Sequence, residues 1–280
     1  MGLLADLRTR ALTLAKEAVK EAADNFADSG HSAVYLRQLL RGNRGDRAHV
    51  HVEPSVTPVP SPDDAASPDT QLPPVLVIHG YLATRGSLHR LEEHLAKRGH
   101  VVMSFRFGPI NLGDIRRSAE HVAQKVESIV AQTGVAKVDI VGHSMGGLVG
   151  LYYVKRLGGG RRVRRLVLLG TPARGTWSAL FGLVTAPLGL ASLQLLPGSP
   201  FLRDLAETAM PAGVDVVSIG ALRDWLAPVS TTVFEGVRHL SLPTGHSGLL
   251  VDVEVAERVA ELLREPMPAP ASVDGAPRPT

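Results

Sequence analysis

Apolar residues in this chain fall into two periods, and the two alternate through its centre. Short continuous runs, Val75 to His79, Val101 to Phe105, Val138 to Val141, Val163 to Leu169 and Val214 to Ile219, read as buried strands, and a less regular run from Thr232 to Leu240 reads as a sixth. Between them the spacing is helical: Leu88 to Lys97, Gly113 to Gln132 closed by Gly134, Leu148 to Leu157, and a closing helix from Leu249 to Leu263. Apolar strands alternating with helices predict an α/β fold, a mostly parallel sheet of about six strands covered on both faces.

The flanks read differently. Leu4, Leu7, Ala11, Leu14, Ala18 and Ala22 recur at helical spacing, and a second helical stretch covers about Ser32 to Leu40. Residues 1–45 are thus an N-terminal helical segment, either packed on the domain or a partner, or lying on a membrane surface. Mixed charge on its polar face weakens the membrane reading. Residues 46–71 hold Pro54, Pro58, Pro60, Pro62 and Pro68 among Ser, Asp and Thr, the composition of an extended linker. The tail 265–280 has the same composition, which leaves 72–264 as the expected catalytic domain.

Composition narrows the class. Of 280 residues, 44% are hydrophobic and 20% charged, as in an ordinary globular chain. The net charge of +3, with no basic stripe interleaved with aromatics, gives no expectation of nucleic-acid binding. The cluster Arg161, Arg162, Arg164 and Arg165 reads as a solvated loop. With no cysteine, disulfides and thiolate metal sites are excluded. No apolar run reaches the roughly 20 residues of a membrane span. Asp6, Arg8, Arg10, Lys16 and Glu17 interrupt any secretory core, so a cytoplasmic protein is the default expectation.

The chemistry centres on Gly142-His143-Ser144-Met145-Gly146. A strand enters it and a helix leaves it, which is the context a nucleophile elbow needs. A serine hydroxyl is a weak nucleophile and needs a base held by an acid. Of eleven histidines, His246 stands in a loop after the last strand and before the final helix, where it can reach the serine. His143 adjoins the serine and is expected to pack beside the elbow, and His79 to shape its own loop. The acid belongs in a loop after an earlier strand, and Asp224, after Val214 to Ile219, fits; a plain turn or cap aspartate is the competing reading. Asp204 and Glu207 read as exposed, Asp215 lies at the wrong end of its strand, and Asp252 breaks the chain order. Backbone amides of Met145 and of Tyr81, with Leu82 second, are the expected oxyanion donors.

Taken together, Val77-Ile78-His79-Gly80-Tyr81, the Gly142–Gly147 turn, Leu169-Gly170-Thr171-Pro172, Asp224 and Gly245-His246 resemble the α/β-hydrolase superfamily, and within it bacterial lipases and esterases. The resemblance covers residues 72–264. It implies Ser144 as nucleophile, Asp224 as acid and His246 as base, with no cofactor. In related calcium-dependent lipases an aspartate follows the catalytic histidine closely; Gly248 stands there, so no metal is expected. An apolar insertion, about residues 174–211, reads as a helical lid, or as a layer that buries itself on the domain. The expected substrate contacts are Leu82, in the loop after the first strand, and Trp177, Phe181 and Leu183, in that insertion. The expected activity is hydrolysis of apolar acyl esters by a lipase or esterase. Acyl transfer or thioester hydrolysis by the same triad is the alternative, and a non-catalytic binding module a third. Residues 1–40 or the lid are the candidate sites of peripheral membrane contact.

Overall fold

The computed structural model describes residues 30–42, 72–104, 107, 112–184 and 190–268. Helix α1 (Gly30–Leu39) precedes the sheet, and the remaining segment 1–29, the linker and the tail beyond 268 lie outside the described residues. The sheet contains β1 (Val75–Ile78), β2 (Val102–Ser104), β3 (Val138–His143), β4 (Val163–Leu169), β5 (Asp215–Ala221) and β6 (Arg238–Leu242), in the order β2-β1-β3-β4-β5-β6. Every pairing is parallel. The chain runs outward from β1 to β2 and then crosses back to β3 on the other side of β1. The order therefore reverses between β1 and β3, and loops leaving the carboxyl ends of neighbouring strands diverge there to open a crevice.

Successive strand residues point to opposite faces, and both faces are buried. Leu76, Ile78, Ile140, Leu166, Leu168 and Val216 pack on one side, where α3 (Ile115–Thr133) and α4 (Met145–Arg156) lie. Val75, Val77, Val141, Val167, Leu169 and Ile219 pack on the other, against α2 (His89–Lys97) and α9 (Val253–Arg264). The helix ends follow the sequence signals. Asp114 accepts the Arg116 amide at 2.8 Å to start α3, and Gly134, at φ 72°, ends it. Asp252 accepts the Glu254 amide at 2.9 Å, which splits the expected closing helix into α8 (Gly248–Val251) and α9.

The last strand differs from its expected span. Val229–Thr232 forms a short helix, α7, and β6 begins only at Arg238. The hydroxyls of Thr231 and Thr232 each bond a carbonyl three residues back, at 2.7 and 2.9 Å, and Gly236 turns the chain at φ 73°. Local hydroxyl-to-backbone bonding overrode the strand preference of a β-branched run.

Arg164 and Arg165 correct the expectation of a solvated basic loop. Arg165 is 0% exposed. Its Nε donates to Asp215 Oδ2 at 2.6 Å, and its remaining donors reach the carbonyls of Leu262, Glu265 and Pro266. Arg164 grips Asp139 with two donors, at 2.9 and 2.5 Å, and donates to Leu263 O at 2.6 Å. Carbonyls in the last turn of a helix run short of backbone donors (Leu262 O accepts only the Glu265 amide, at 3.2 Å), and a guanidinium supplies both donors and a complementary charge. Arg162 does meet solvent, paired with Glu127 at 2.8 Å.

The insertion divides into two halves. Its second half, α5 (Ala191–Gln194) and α6 (Pro200–Glu207), belongs to the core through Ala191, Leu195, Phe201, Leu202 and Leu205. Gln194 fastens it to the start of α3, accepting from the Ile115 amide and donating to Asp114 Oδ1, both at 2.8 Å. Asp204, in α6, pairs with Arg156 rather than standing free. The first half, a 3-10 helix over Trp177–Val184, leaves Trp177 68% exposed and Leu180 exposed, and Leu190 and Leu193, where the second half begins, are exposed as well. Among the described residues no helix is long and apolar enough to cross a membrane.

Candidate active site

Strand β3 ends at His143, and Ser144 takes φ 54° and ψ −125°, a backbone that side-chain-bearing residues rarely adopt. Helix α4 starts at the next residue, Met145, so the helix amino terminus lies directly behind the serine. Glycines make the turn feasible. An ideal Cβ on Gly142 would lie 2.5 Å from Gly147 Cα, and one on Gly146 would lie 2.4 Å from the Ile78 carbonyl oxygen. The strain at Ser144 is thus held by a close approach of β1, β3 and α4 that larger residues would block.

The loop after β1 lies against the serine. A Cβ on Gly80 would come 2.9 Å from Ser144 Cβ and 3.4 Å from its hydroxyl oxygen. His79 is buried, stacks edge-on to Phe107 with centroids 5.4 Å apart, and its Nδ1 lies 3.2 Å from the Gly80 carbonyl oxygen. With the proton on Nδ1, His79 donates to that carbonyl and fixes the peptide whose N–H belongs to Tyr81. Burial pushes the His79 imidazole down to about 4, so it is neutral near pH 7. Leu82 takes φ 54° and is exposed, while Tyr81 packs against the core.

Asp224 and His246 come together across the carboxyl ends of β5 and β6. His246 Nδ1 lies 2.6 Å from Asp224 Oδ2, and Asp224 Oδ1 accepts the Ala227 amide at 2.8 Å. Asp224 is buried, so both carboxylate oxygens are committed and the side chain is fixed. It is at once the turn aspartate and the histidine's partner; the two sequence readings describe one residue. The proton on Nδ1 leaves the Nε2 lone pair free to accept a proton. Gly170, at φ 55° after β4, backs this pair: a Cβ there would lie 3.2 Å from both Asp224 Oδ2 and His246 Nδ1.

His143 packs beside the elbow and faces His246 from behind. Their ring centroids are 4.6 Å apart, and His143 Nε2 lies 3.1 Å from the His246 carbonyl oxygen. Burial, reinforced by the neighbouring His246, holds the His143 imidazole well below its ordinary range. Both histidines that adjoin Ser144 and Gly80 therefore serve as neutral donors to backbone.

Of the expected substrate contacts, Leu82 and Trp177 stand exposed, whereas the side chains of Phe181 and Leu183 lie outside the described residues. Asp215 sits at the opposite end of the sheet, bonded to Arg165, and Asp252 caps α9. Thr176 and Ser178, to which no sequence signal points, also reach the site: their hydroxyls lie 2.6 and 2.8 Å from the Leu226 carbonyl oxygen.

A family model of the alpha/beta hydrolase fold matches residues 73–185. Aspergillus fumigatus lipase B superposes with a TM-score of 0.61 at 17% identity, over 90% of this chain and 76% of that one. The mature form of a Bacillus licheniformis lipase gives a TM-score of 0.59 at 17% identity, over 70% of this chain and 94% of that one. A monoacylglycerol lipase from Paleococcus ferrophilus gives 0.50 at 17% identity, over 68% and 95%. The likeness to these structures is one of fold.

Proposed function

We propose that this chain, whose residues 73–185 match a family model of the alpha/beta hydrolase fold, is a serine carboxylic-ester hydrolase, a lipase or esterase acting on apolar acyl esters. The observation that carries the proposal is the 2.6 Å contact between His246 Nδ1 and Asp224 Oδ2, with Asp224 buried and locked by the Ala227 amide. A buried acid so held serves to orient an imidazole and to stabilise its cation. The strained backbone of Ser144 at the end of β3 supports the nucleophile assignment.

In this reading Ser144 Oγ attacks the ester carbonyl carbon while its proton passes to His246 Nε2. The imidazolium that forms is stabilised by the Asp224 carboxylate. The carbonyl oxygen becomes an oxyanion facing the amides of Met145, at the helix start, and of Tyr81, in the peptide held by His79. Collapse breaks the bond to the alcohol, which leaves with the proton from His246. Water then attacks the acyl carbon, gives a proton to His246, and the second collapse returns that proton to Ser144 and releases the acid.

Exposed Leu82, Trp177, Leu180, Leu190 and Leu193 support an apolar acyl group, and contact of the insertion with a lipid surface. Hydrolysis of a p-nitrophenyl ester series from acetate to palmitate, with and without emulsified lipid, tests the substrate class. Rates should rise with chain length beyond acetate and rise further with lipid surface. A preference for acetate, indifferent to lipid, would overturn the apolar assignment.

A further inference from the structure

We propose that Thr176, seconded by Ser178, is a positioning residue for the acid Asp224, acting through the single peptide group that joins Leu226 to Ala227. This rests on the proposed hydrolase reading and extends it to a residue outside the three catalytic side chains.

The peptide group is planar, and its C=O and N–H point in opposite directions. On one side, the Leu226 oxygen has the Thr176 hydroxyl at 2.6 Å and the Ser178 hydroxyl at 2.8 Å. On the other side, the Ala227 N–H of the same peptide donates to Asp224 Oδ1 at 2.8 Å. Asp224 Oδ2 in turn accepts a hydrogen bond from His246 Nδ1–H at 2.6 Å. Holding the carbonyl therefore holds the amide, the amide holds the carboxylate, and the carboxylate holds the base. Hydrogen bonds in series polarise one another, so the donor on the carbonyl also strengthens the amide as a donor.

Thr176 is placed for this task. It is buried, and its own amide donates to Leu195 O at 2.9 Å, which ties it to the fixed half of the insertion. Thr176 Oγ1 and Ser178 Oγ are 2.9 Å apart, so either hydroxyl can reach the carbonyl if the other is lost. Asp224 lies in a loop, not in a strand or helix, and its carboxylate is held by the Ala227 amide and the His246 imidazole. The insertion acts on it through the peptide that carries that amide.

The test uses the full chain and the double variant Thr176→Val/Ser178→Ala, which keeps size while removing both hydroxyls. Active sites are titrated with a fluorophosphonate, and kcat and KM for p-nitrophenyl butyrate are expressed per titrated site. The expected result is a loss of about tenfold in kcat per site, the scale of a small misplacement of a catalytic group, with KM within about twofold. Thr176→Ser should restore kcat, because it returns the hydroxyl without the methyl. A purely structural role would lower the number of titrated sites and leave kcat per site unchanged, which overturns the inference. If that double variant yields no folded protein, Thr176→Ala/Ser178→Ala, which also removes both hydroxyls, is read in the same way, and an unchanged kcat per site again overturns it. A wild-type chain that the fluorophosphonate does not label and that hydrolyses no ester overturns the hydrolase reading itself. Labelled wild type with an unaffected variant overturns only the role of Thr176.

Discussion

The imidazole Nε2 of His143 lies 3.1 Å from the carbonyl oxygen of His246, so the residue before the proposed nucleophile grips the backbone of the proposed base. The two loops come from strands β3 and β6, which are not neighbours in the sheet. The contact is the direct link that sets one against the other. His143→Ala should lower kcat by about tenfold through a misplaced base, and His143→Gln, which keeps a donor, should retain more of it. Per-site kinetics after active-site titration check this.

Close packing around the site makes two glycines sensitive for a stated reason. Gly80→Ala would drive a methyl to 2.9 Å from Ser144 Cβ, and Gly170→Ala would press on the Asp224–His246 pair while straining a φ of 55°. Each should cost about a hundredfold in kcat, as for a catalytic group displaced by about 1 Å. Gly134→Ala is the control. It also has a positive φ, 72°, but opens on free space far from the site, so stability should fall slightly and kcat should not.

Arg165 and Arg162 stand three residues apart and should behave oppositely. Arg165→Ala leaves Asp215 only Arg238, at 3.7 Å, and takes a donor from several carbonyls, and breaking a buried ion pair of this kind costs about 3–5 kcal/mol. Arg162→Ala removes an exposed pair with Glu127, and Tm should barely move. Urea midpoints of the two variants check the contrast.

Acid should destabilise the fold through its buried histidines. His79 and His100 are pushed down to about 4, and His143 also lies well below its ordinary value, in each case chiefly by burial. In the unfolded chain these groups titrate near 6.5. Between about pH 6.5 and 4 the unfolded state therefore binds more protons, and stability falls as pH falls. It is fully present above pH 6.5. Replacing His79 with Asn should flatten the dependence by about one proton's worth, roughly 1.4 kcal/mol per pH unit, measured by chemical denaturation at a series of pH values.

The sheet was legible in the sequence because buried parallel strands are written as continuous apolar runs, and five of six fell where those runs lie. The sixth did not, because the hydroxyls of Thr231 and Thr232 close a helical turn that β-branching alone does not reveal. Arg164 and Arg165 read as solvent-facing because charge in sequence carries no sign of the carbonyls of Leu262, Leu263 and Glu265, nearly a hundred residues away, that they satisfy. Asp224 and His246 were legible as candidates from chain order, and the structure sets them 2.6 Å apart. Thr176 and Ser178 were not, since their link to Asp224 exists only once the insertion has folded over the loop. Which part of the insertion is core was equally hidden: its two halves are both rich in apolar residues, yet Ala191, Leu195, Phe201, Leu202 and Leu205 are buried while Trp177, Leu190 and Leu193 stand exposed.

In the proposed mechanism everything turns on Ser144 being an activated nucleophile. Wild-type protein and Ser144→Ala are treated with a fluorophosphonate, the adduct is located by mass spectrometry, and p-nitrophenyl butyrate hydrolysis is measured on both. One phosphonate is expected on Ser144 in the wild type and none in the variant, with a fall in kcat of about 10⁴-fold or more. An adduct on another residue, or a Ser144→Ala protein that hydrolyses the ester at the wild-type rate, would contradict the mechanism.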